Sequence, residues 1–413
     1  MKILITTDLF RSTINGVVTS VLNLEEELTK QGHEVRILTV SDTGKAYQEG
    51  NVWYLRSIPS GIYPGVRIPV PGDGTFRKEL TEWKPDVVHS QCEFCTFSYG
   101  KRIAEDSGAL FVHTCHTLYE QYTKYIPMGK YLGPAAVATC MRWRLRPTDL
   151  IIAPTKKVER TFLSYGVKKK TAIIPTGIQI ENFTKHVSEE TLQKLREECG
   201  IRPGVQIVLS LGRLGFEKQV DELLYGWKEA EISSEDAMLL IVGGGPAEDS
   251  LRKLSEELGL QDQVCFYGMA EPSMVPAFYH LADIFVCAST SETQGLTYVE
   301  ALASGLPLVC RRDPCLNGVL EHGKNGYSYR GRDEFGKYVK DLLGQEEKRA
   351  QMSAHSCELA KTFGTEAFGQ AVGSLYNNSI RDKGEMNLRG HIFGGRRFVY
   401  IDGALERMLR NFK

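Results

Sequence analysis

The residues with the clearest chemical potential lie in segment 289–309, where a polar loop containing Gly295 precedes a predicted helix beginning near Leu296. Free backbone N–H groups at a helix start, together with the helix dipole, form a site for an anion such as a phosphate. Glu292 lies in the loop before this helix, and Glu300 lies in its first turns. Carboxylates so placed can accept hydrogen bonds from a hydroxyl-rich ligand beside a bound phosphate. Taken alone, they could equally cap the helix or pair with its dipole.

The elements that must position these residues alternate between strands and helices. Apolar, β-branched runs predict first-half strands at residues 2–6, 34–40, 52–56, 87–89, 110–113, 150–153 and 172–174. The second half has predicted strands at 206–212, 238–242, 263–267, 284–287 and 307–310. Strands separated by helices form βαβ units and parallel sheets. The predicted fold class is therefore α/β, with two Rossmann-like domains whose parallel sheets face each other across a cleft. Ligands bind beyond the carboxyl ends of such strands.

The length of 413 residues fits two domains and a short extension. We predict a first Rossmann-like domain at residues 1–185 and a second at 200–365. The polar segment 178–204 serves as the linker. A C-terminal helix and tail occupy residues 366–413, with a helical pattern at 367–380 and a short amphipathic helix at 404–412.

The net charge of −1 conceals a strongly basic stretch, residues 121–170, which contains 11 Lys and Arg residues opposed only by Asp149 and Glu159. A basic field suits an anionic partner such as a membrane surface or nucleic acid, although a solvated, charge-rich surface explains it as well. No segment has the roughly 18 apolar residues needed to cross a bilayer, so any membrane contact is expected at the surface. Since no signal peptide is predicted, we expect the ten cysteines to be reduced and the chain to be cytoplasmic.

Glu292 and Glu300 have seven residues between them and are followed by Ala-Ser-Gly-Leu-Pro, a pattern that resembles the E-x7-E signature of retaining glycosyltransferase family 4. The turn from Leu211 onward is similar to the family's strand-to-helix turn, where an Arg and a Lys five residues later bind the donor diphosphate. The resemblance carries these roles to Arg213 and Lys218, whose side chains suit phosphate oxygens. Gly215 and Phe216 depart from the family pattern, which has a small polar and a basic residue there.

Other positions take their expected roles from the same resemblance. His116, in the second His-Thr pair after a strand, is expected beside the reacting sugar and, with Glu292, is a predicted catalytic residue. Glu300 is expected to bind the donor ribose, and Met269 the base. The remaining predicted diphosphate-binding residues lie in two glycine-containing loops or at the helix start that follows the second; they are Gly16, Gly295, Leu296 and Thr297.

Within the family, three motifs resemble the bacterial 1,2-diacylglycerol 3-glucosyltransferases most closely. They begin at His89, His113 and Ser291, and the resemblance covers residues 1 to about 380. It implies retaining transfer of α-glucose from UDP-glucose to the 3-hydroxyl of 1,2-diacylglycerol in glycolipid synthesis. The expected partners are the nucleotide-sugar donor, the diacylglycerol acceptor and an anionic membrane surface, and not nucleic acid. The enzyme would then bind peripherally to the inner face of the cell membrane.

The basic stretch is the expected docking face, with aromatic residues that favour the membrane interface. These aromatic residues are Tyr122, Tyr125, Tyr131 and Trp143. No cofactor is expected. Because the sequence contains no Asp-x-Asp, which holds a divalent metal in other sugar transferases, we expect no metal requirement.

Three alternatives remain open at the level of the sequence. The donor could be UDP-galactose, or the acceptor a soluble sugar, phosphatidylinositol or another glycolipid. A non-enzymatic nucleotide-sugar-binding scaffold would predict broken catalytic positions, yet the expected residues are all present. A dinucleotide oxidoreductase is disfavoured because the glycine cluster at residues 243–245 has Glu248 where the third glycine of G-x-G-x-x-G belongs.

Overall fold

The structure, a computed structural model, describes residues 1–10, 15–60, 67–70, 74–120 and 133–392, with side chains up to residue 383. The chain divides into two compact units, Met1–Gly373 and Ser374–Lys413. Both large sheets and all candidate site residues belong to the first unit. The helix predicted at 404–412 and the tyrosines at 122, 125 and 131 lie outside the described residues.

The first half is built on an eight-stranded sheet. Its strands, numbered in chain order, are β1 (Lys2–Thr6), β2 (Glu34–Val40), β3 (Tyr47–Glu49), β4 (Val52–Leu55), β7 (Val87–Ser90), β8 (Leu110–Thr114), β9 (Leu150–Ala153) and β10 (Lys170–Ile173). A separate antiparallel pair is formed by β5 (Ser57–Pro59) and β6 (Arg67–Pro69). The sheet order is β10-β9-β8-β7-β1-β2-β4-β3, and every pairing is parallel except that of β3 with β4.

Helices cover this sheet, so its central strands β7, β8 and β9 are buried along their whole length. The helices are α1 (Gly16–Lys30), α2 (Thr75–Glu82), α3 (Cys95–Ser107), α4 (Pro134–Arg144) and α5 (Lys156–Ser164). The Asn15 side chain caps α1 by accepting hydrogen bonds from the backbone N–H groups of Val17 and Val18, both at 3.0 Å. This cap fixes where the first strand-to-helix loop ends.

The second half is built on a six-stranded sheet in the order β13-β12-β11-β14-β15-β16, with all pairings parallel. Its strands are β11 (Gln206–Leu211), β12 (Ala237–Val242), β13 (Val264–Gly268), β14 (Ile284–Cys287), β15 (Leu308–Arg311) and β16 (Gly326–Tyr329). The remaining helices are α6 (Ile180–Thr184), α7 (Glu189–Glu198), α8 (Val220–Ala230), α9 (Glu248–Glu257), α10 (Val275–Leu281), α11 (Leu296–Ala303), α12 (Arg332–Leu343), α13 (Glu346–Ala360) and α14 (Thr365–Ile392).

The predicted α/β class with two parallel sheets is confirmed, and the predicted strands are found with ends shifted by one or two residues. The segment 178–204 is more structured than a linker, because it contains α6 and α7. Phe183 and Leu195 from these helices are buried in the apolar core of the second half. The domain limits at residues 185, 200 and 365 stay predictions.

The chain crosses between the halves twice, at neighbouring points. The backbone N–H of Ile178, on the outward crossing, donates to the Phe363 carbonyl at 2.9 Å. On the return, the Thr365 hydroxyl donates to Glu27 Oε1 of α1 at 3.1 Å. The Asn23 side chain of α1 donates to the Gly177 carbonyl at 2.9 Å. Both crossing segments are therefore hydrogen-bonded to α1 of the first half.

Candidate active site

The predicted phosphate turn follows β11 and contains a single 3-10 turn, Phe216–Lys218. The Arg213 guanidinium pairs with Glu217, whose side chain is almost completely buried. Lys218 extends the other way, and its Nζ lies 2.6 Å from Glu292 Oε1 in the loop after β14. The departure from the family pattern leaves this arrangement intact, with Phe216 largely exposed. Both predicted cations thus lie beside the second sheet's carboxyl edge, each paired with a carboxylate.

The loop between β14 and α11 carries the predicted sugar-binding carboxylate. It ends at Gly295, which has φ 77°, a conformation that favours glycine, and a Cβ there would lie 2.4 Å from the Tyr298 ring. The helix begins at Leu296, as predicted. Across the cleft, Gly16 packs against it: a Cβ at Gly16 would lie 3.4 Å from the Leu296 side chain. The two predicted glycine loops, one from each half, therefore meet at the start of α11, with Thr297 beside them.

The two carboxylates of the E-x7-E pair have opposite electrostatic environments. Burial pushes the pKa of Glu292 upward, but Lys218, Ser289 and Lys157 outweigh it and hold that pKa below its ordinary value. Burial raises the pKa of Glu300 to about 6, although a hydrogen bond from the Tyr279 hydroxyl at 2.8 Å opposes the shift. Glu292 is thus ionised through the physiological range, whereas Glu300 titrates at its edge.

Met269, the predicted base-binding residue, follows β13 and is 78% exposed. Its terminal methyl group lies next to Gly244, at 3.4 Å from where a Cβ would stand. Met269 therefore lies on the same sheet edge, beyond the end of β12.

His116 lies in the loop after β8, within a buried polar network on the first half. Its Nε2 is 2.7 Å from Gln91 Oε1, and the Gln91 amide nitrogen is 3.2 Å from Nδ1 and 3.3 Å from Nε2 of His89. His89 Nε2 is in turn 2.7 Å from the Thr114 hydroxyl. Burial lowers the pKa of His116 to about 4, with Glu93 opposing the shift and His113 adding to it. His116 is therefore a neutral imidazole at physiological pH.

Glu93, His113 and Cys115 lie beside this network, with one potential metal-ligating atom from each within 4.8 Å of the others. The Glu93 carboxylate is already hydrogen-bonded on both oxygens, by His113 Nε2 at 3.1 Å and by the Tyr119 hydroxyl. Burial also raises the pKa of the Cys115 thiol well above its ordinary value, which disfavours the thiolate that a metal requires. These contacts satisfy Glu93 without an ion. His113 itself is a buried residue of β8, as predicted.

Hydrogen bonds across the cleft fix the loop that carries Glu292. The Thr293 hydroxyl donates to the His116 carbonyl at 3.1 Å, and the Thr155 hydroxyl donates to the Thr293 carbonyl at 2.7 Å. The Gln294 carboxamide accepts from the Thr176 backbone N–H at 2.7 Å and donates to its carbonyl at 2.8 Å. The backbones of the two predicted catalytic residues, His116 and Glu292, are thereby tied together.

An ion pair reinforces this attachment. Lys157 of α5 donates from Nζ to the Thr290 carbonyl at 2.8 Å and to both carboxylate oxygens of Asp313 at 2.9 Å. Both side chains are largely buried. Asp313 also accepts from the Cys315 backbone N–H. Lys157 is a cation of the first half that holds a loop of the second.

The structure brings most of the predicted site residues to one place. Four of them are linked by direct contacts or through the loop that carries Glu292: Gly16, Lys218, Glu292 and Leu296. The His116 carbonyl accepts a hydrogen bond from the same loop. Glu300 lies on α11 and Met269 follows β13. Sequence reasoning missed the residues that support them. Of these, Gln91, Glu93 and Gln294 lie in motifs noted for their resemblance, whereas Lys157 and Asp313 carried no signal.

Family models match both halves of the chain. The model described as Glycosyltransferase Family 4 matches residues 14–182, and that described as Glycosyl transferases group 1 matches residues 192–357. The chain belongs to this glycosyltransferase family, and it has the GT-B fold of two Rossmann-like halves.

Two relatives match nearly the whole chain. Alpha-monoglucosyldiacylglycerol synthase of Streptococcus pneumoniae is 33% identical over 384 residues, covering 92% of this chain and 86% of the relative. The protein of the same name from Acholeplasma laidlawii is 31% identical over 405 residues, covering 94% and 99%. Among solved structures, Anabaena HepE in complex with UDP and glucose has a TM-score of 0.72 at 17% identity, covering 92% of this chain and all of that one. That likeness supports the fold.

Proposed function

We propose that the protein transfers glucose from UDP-glucose to the 3-hydroxyl of 1,2-diacylglycerol, with retention of the α configuration. The observation that carries the proposal is that two relatives named alpha-monoglucosyldiacylglycerol synthase match 92% and 94% of the chain, so the resemblance includes both walls of the cleft. The Lys218–Glu292 contact at the helix start supports a site for a sugar diphosphate.

In the proposed reaction, the bond between the anomeric carbon and the diphosphate oxygen breaks, and a bond from that carbon to the acceptor oxygen forms on the same face. The acceptor's proton passes to the departing diphosphate. Arg213, Lys218 and the start of α11 would stabilise the negative charge that develops on the leaving group. Glu292 would accept hydrogen bonds from sugar hydroxyls. No step needs a metal ion, since these groups supply the positive charge.

The test is a transfer assay with radiolabelled UDP-glucose and diacylglycerol in mixed micelles containing anionic phospholipid. We expect an α-glucosyl lipid that disappears with Glu292→Gln and persists with Glu256→Gln, an exposed carboxylate on α9. If UDP-glucose binds but no lipid is labelled, the acceptor is wrong and a soluble sugar or another lipid takes its place. If the lipid is labelled only when radiolabelled UDP-galactose replaces UDP-glucose, the donor is UDP-galactose.

We also propose that the enzyme docks on the inner face of the cell membrane through the surface around α4. Trp143 is 70% exposed there, and Arg142 and Arg146 are exposed on either side of it. Cationic side chains attract anionic head groups, and an exposed tryptophan favours the interface. Among the described residues, no helix is both long and apolar enough to cross a bilayer.

Vesicle sedimentation tests this docking surface. Binding should increase with the fraction of anionic lipid and weaken in the Arg142→Glu/Arg146→Glu double variant. The matched control is Lys337→Glu/Lys340→Glu, which reverses two exposed charges on α12. Equal weakening by both pairs would point to net charge, and binding without dependence on anionic lipid would contradict the proposal.

A further inference from the structure

We propose that Gln91 is a positioning residue that fixes the tautomer of His116 and so presents Nδ1 of its ring as a hydrogen-bond acceptor for a substrate hydroxyl. The inference rests on the proposed transfer reaction at this site. It concerns a residue in the loop after β7 that has no expected role in the family resemblance.

The first step of the argument is the contact between the two side chains. Gln91 is 1% exposed, and its Oε1 lies 2.7 Å from His116 Nε2. An amide oxygen has no proton to donate, so the hydrogen of this bond must be on the imidazole. Nε2 of His116 therefore carries the proton, and Nδ1 keeps its lone pair.

The second step is what holds the Gln91 amide in this orientation. Its nitrogen lies 3.2 Å from Nδ1 and 3.3 Å from Nε2 of His89, so it faces the ring of His89. His89 Nε2 also lies 2.7 Å from the Thr114 hydroxyl. His89 and Thr114 are 1% and 3% exposed, so water does not compete for these groups. In this orientation the amide presents its oxygen to His116 and its nitrogen to the ring of His89.

The third step is that the imidazole rings of His116 and His89 are both neutral. Burial lowers the pKa of His116 to about 4 and that of His89 well below its ordinary value. The titratable groups facing His116 among the described residues are Glu93, His113 and His89. A neutral ring with a fixed tautomer can accept a hydrogen bond from a sugar or acceptor hydroxyl and hold that hydroxyl in place. A protonated ring could not.

Nuclear magnetic resonance on protein labelled with 15N-histidine tests the tautomer directly. The chain has nine histidines, and a His116→Asn variant identifies the signals of interest. We expect wild-type His116 to show the Nε2–H tautomer and to remain neutral down to about pH 5, as its pKa of about 4 requires. In Gln91→Leu both tautomers should appear. In Gln91→Glu the new carboxylate should raise the pKa of His116 by about 1 to 3.

Transfer rates supply the second measurement. Gln91→Leu should lose about 10- to 100-fold in kcat, with the KM for UDP-glucose changed less than about twofold. When the pH is lowered from 8 to 6, the activity of Gln91→Glu should fall at least about threefold more than that of the wild type, because His116 becomes protonated in the variant. The control Gln263→Glu adds a carboxylate near Trp227, in the core of the second half, and should keep the wild-type pH profile.

The outcomes separate this inference from the proposed acceptor. If the histidine signals behave as expected but the wild type labels no diacylglycerol, the acceptor is wrong and the role of Gln91 stands. If wild-type His116 has its proton on Nδ1, or if Gln91→Leu leaves tautomer and rate unchanged, the inference is overturned. Gln91→Glu is nearly isosteric, so it tests the idea even if Gln91→Leu folds poorly.

Discussion

The two walls of the cleft organise their polar groups in different ways. On the first half, His89, Gln91 and His116 form a buried chain of neutral hydrogen bonds. On the second half, Arg213 and Lys218 are each paired with a carboxylate. The first arrangement is directional and uncharged, whereas the second supplies positive charge that a phosphate can share.

The difference matches what each wall must recognise in a sugar transferase. A diphosphate attracts cations over several ångströms, so strict orientation matters less than charge. Hydroxyl groups must be recognised by hydrogen bonds whose donors and acceptors point the right way. The two walls therefore depend on different physical properties, and substitutions on them should be distinguishable by charge, pH and salt.

The largest expected effect comes from removing a cation of the second wall. Lys218→Met should lower kcat by about 100- to 1,000-fold, because the leaving diphosphate loses a preorganised positive charge and Glu292 loses its partner. Steady-state transfer kinetics measure this loss. Lys228→Met, at an exposed position on α8, is the control and should retain normal activity. A similar loss in the control would mean that total charge matters rather than position.

The ion pair that joins the walls should contribute mainly to stability. Lys157→Met leaves Asp313 buried without its cation, and we expect the free energy of unfolding to fall by about 3 to 5 kcal/mol. Chemical denaturation followed by fluorescence gives this value. Removing both charges in Lys157→Met/Asp313→Leu should recover much of the loss. The exposed pair Lys253–Glu257 offers a control, since Lys253→Met should change stability by about 0.5 kcal/mol or less.

Donor binding should weaken in acid because of Glu300. Its pKa is raised to about 6, so the carboxylate takes up a proton as the pH falls through 6 and becomes a weaker acceptor for ribose hydroxyls. The Kd for UDP-glucose should rise by up to about tenfold between pH 7.5 and pH 5. Calorimetry with UDP-glucose is preferable to UDP, whose terminal phosphate titrates in this range. In Glu300→Gln the pH dependence should be lost, and its persistence would assign the effect to another group.

The smallest expected effect is that of metal removal. If cationic side chains and the start of α11 provide the positive charge, EDTA should change the transfer rate by less than about twofold. Activity that is abolished by EDTA and restored by magnesium would show that the second wall is incomplete without an ion.

The sequence predicted the fold, and it singled out loops that the structure brings together, because both depend on local patterns. Strand and helix periodicity gave the two parallel sheets, and loop motifs such as those at Gly16 and Glu292 lie where parallel strands end. Element ends were less certain, and α6 and α7 were not recognised because polar residues dominate their short sequences. These helices bury only a few side chains, among them Phe183 and Leu195.

The supporting contacts could not be predicted, because they join residues far apart in the chain. Gln294 and Thr176 are separated by 118 residues, and Lys157 and Asp313 by 156. A lysine in an amphipathic helix gives no sign that it crosses a cleft. Gln91 is different: it stands two residues after His89, at the end of a strand, and only the local geometry shows that it faces His116.

The return crossing at Thr365 has a consequence for how the chain folds during synthesis. The last strand of the first sheet ends at Ile173, yet the Thr365 contact with Glu27 spans 338 residues and forms only when nearly the whole chain has left the ribosome. This contact of the first half must therefore wait for the second half, and contacts of such high sequence separation form slowly. An isolated first half that ends near residue 175 would lack this contact. Grafting the segment from Thr365 to Gly373 onto it offers a way to produce that half alone.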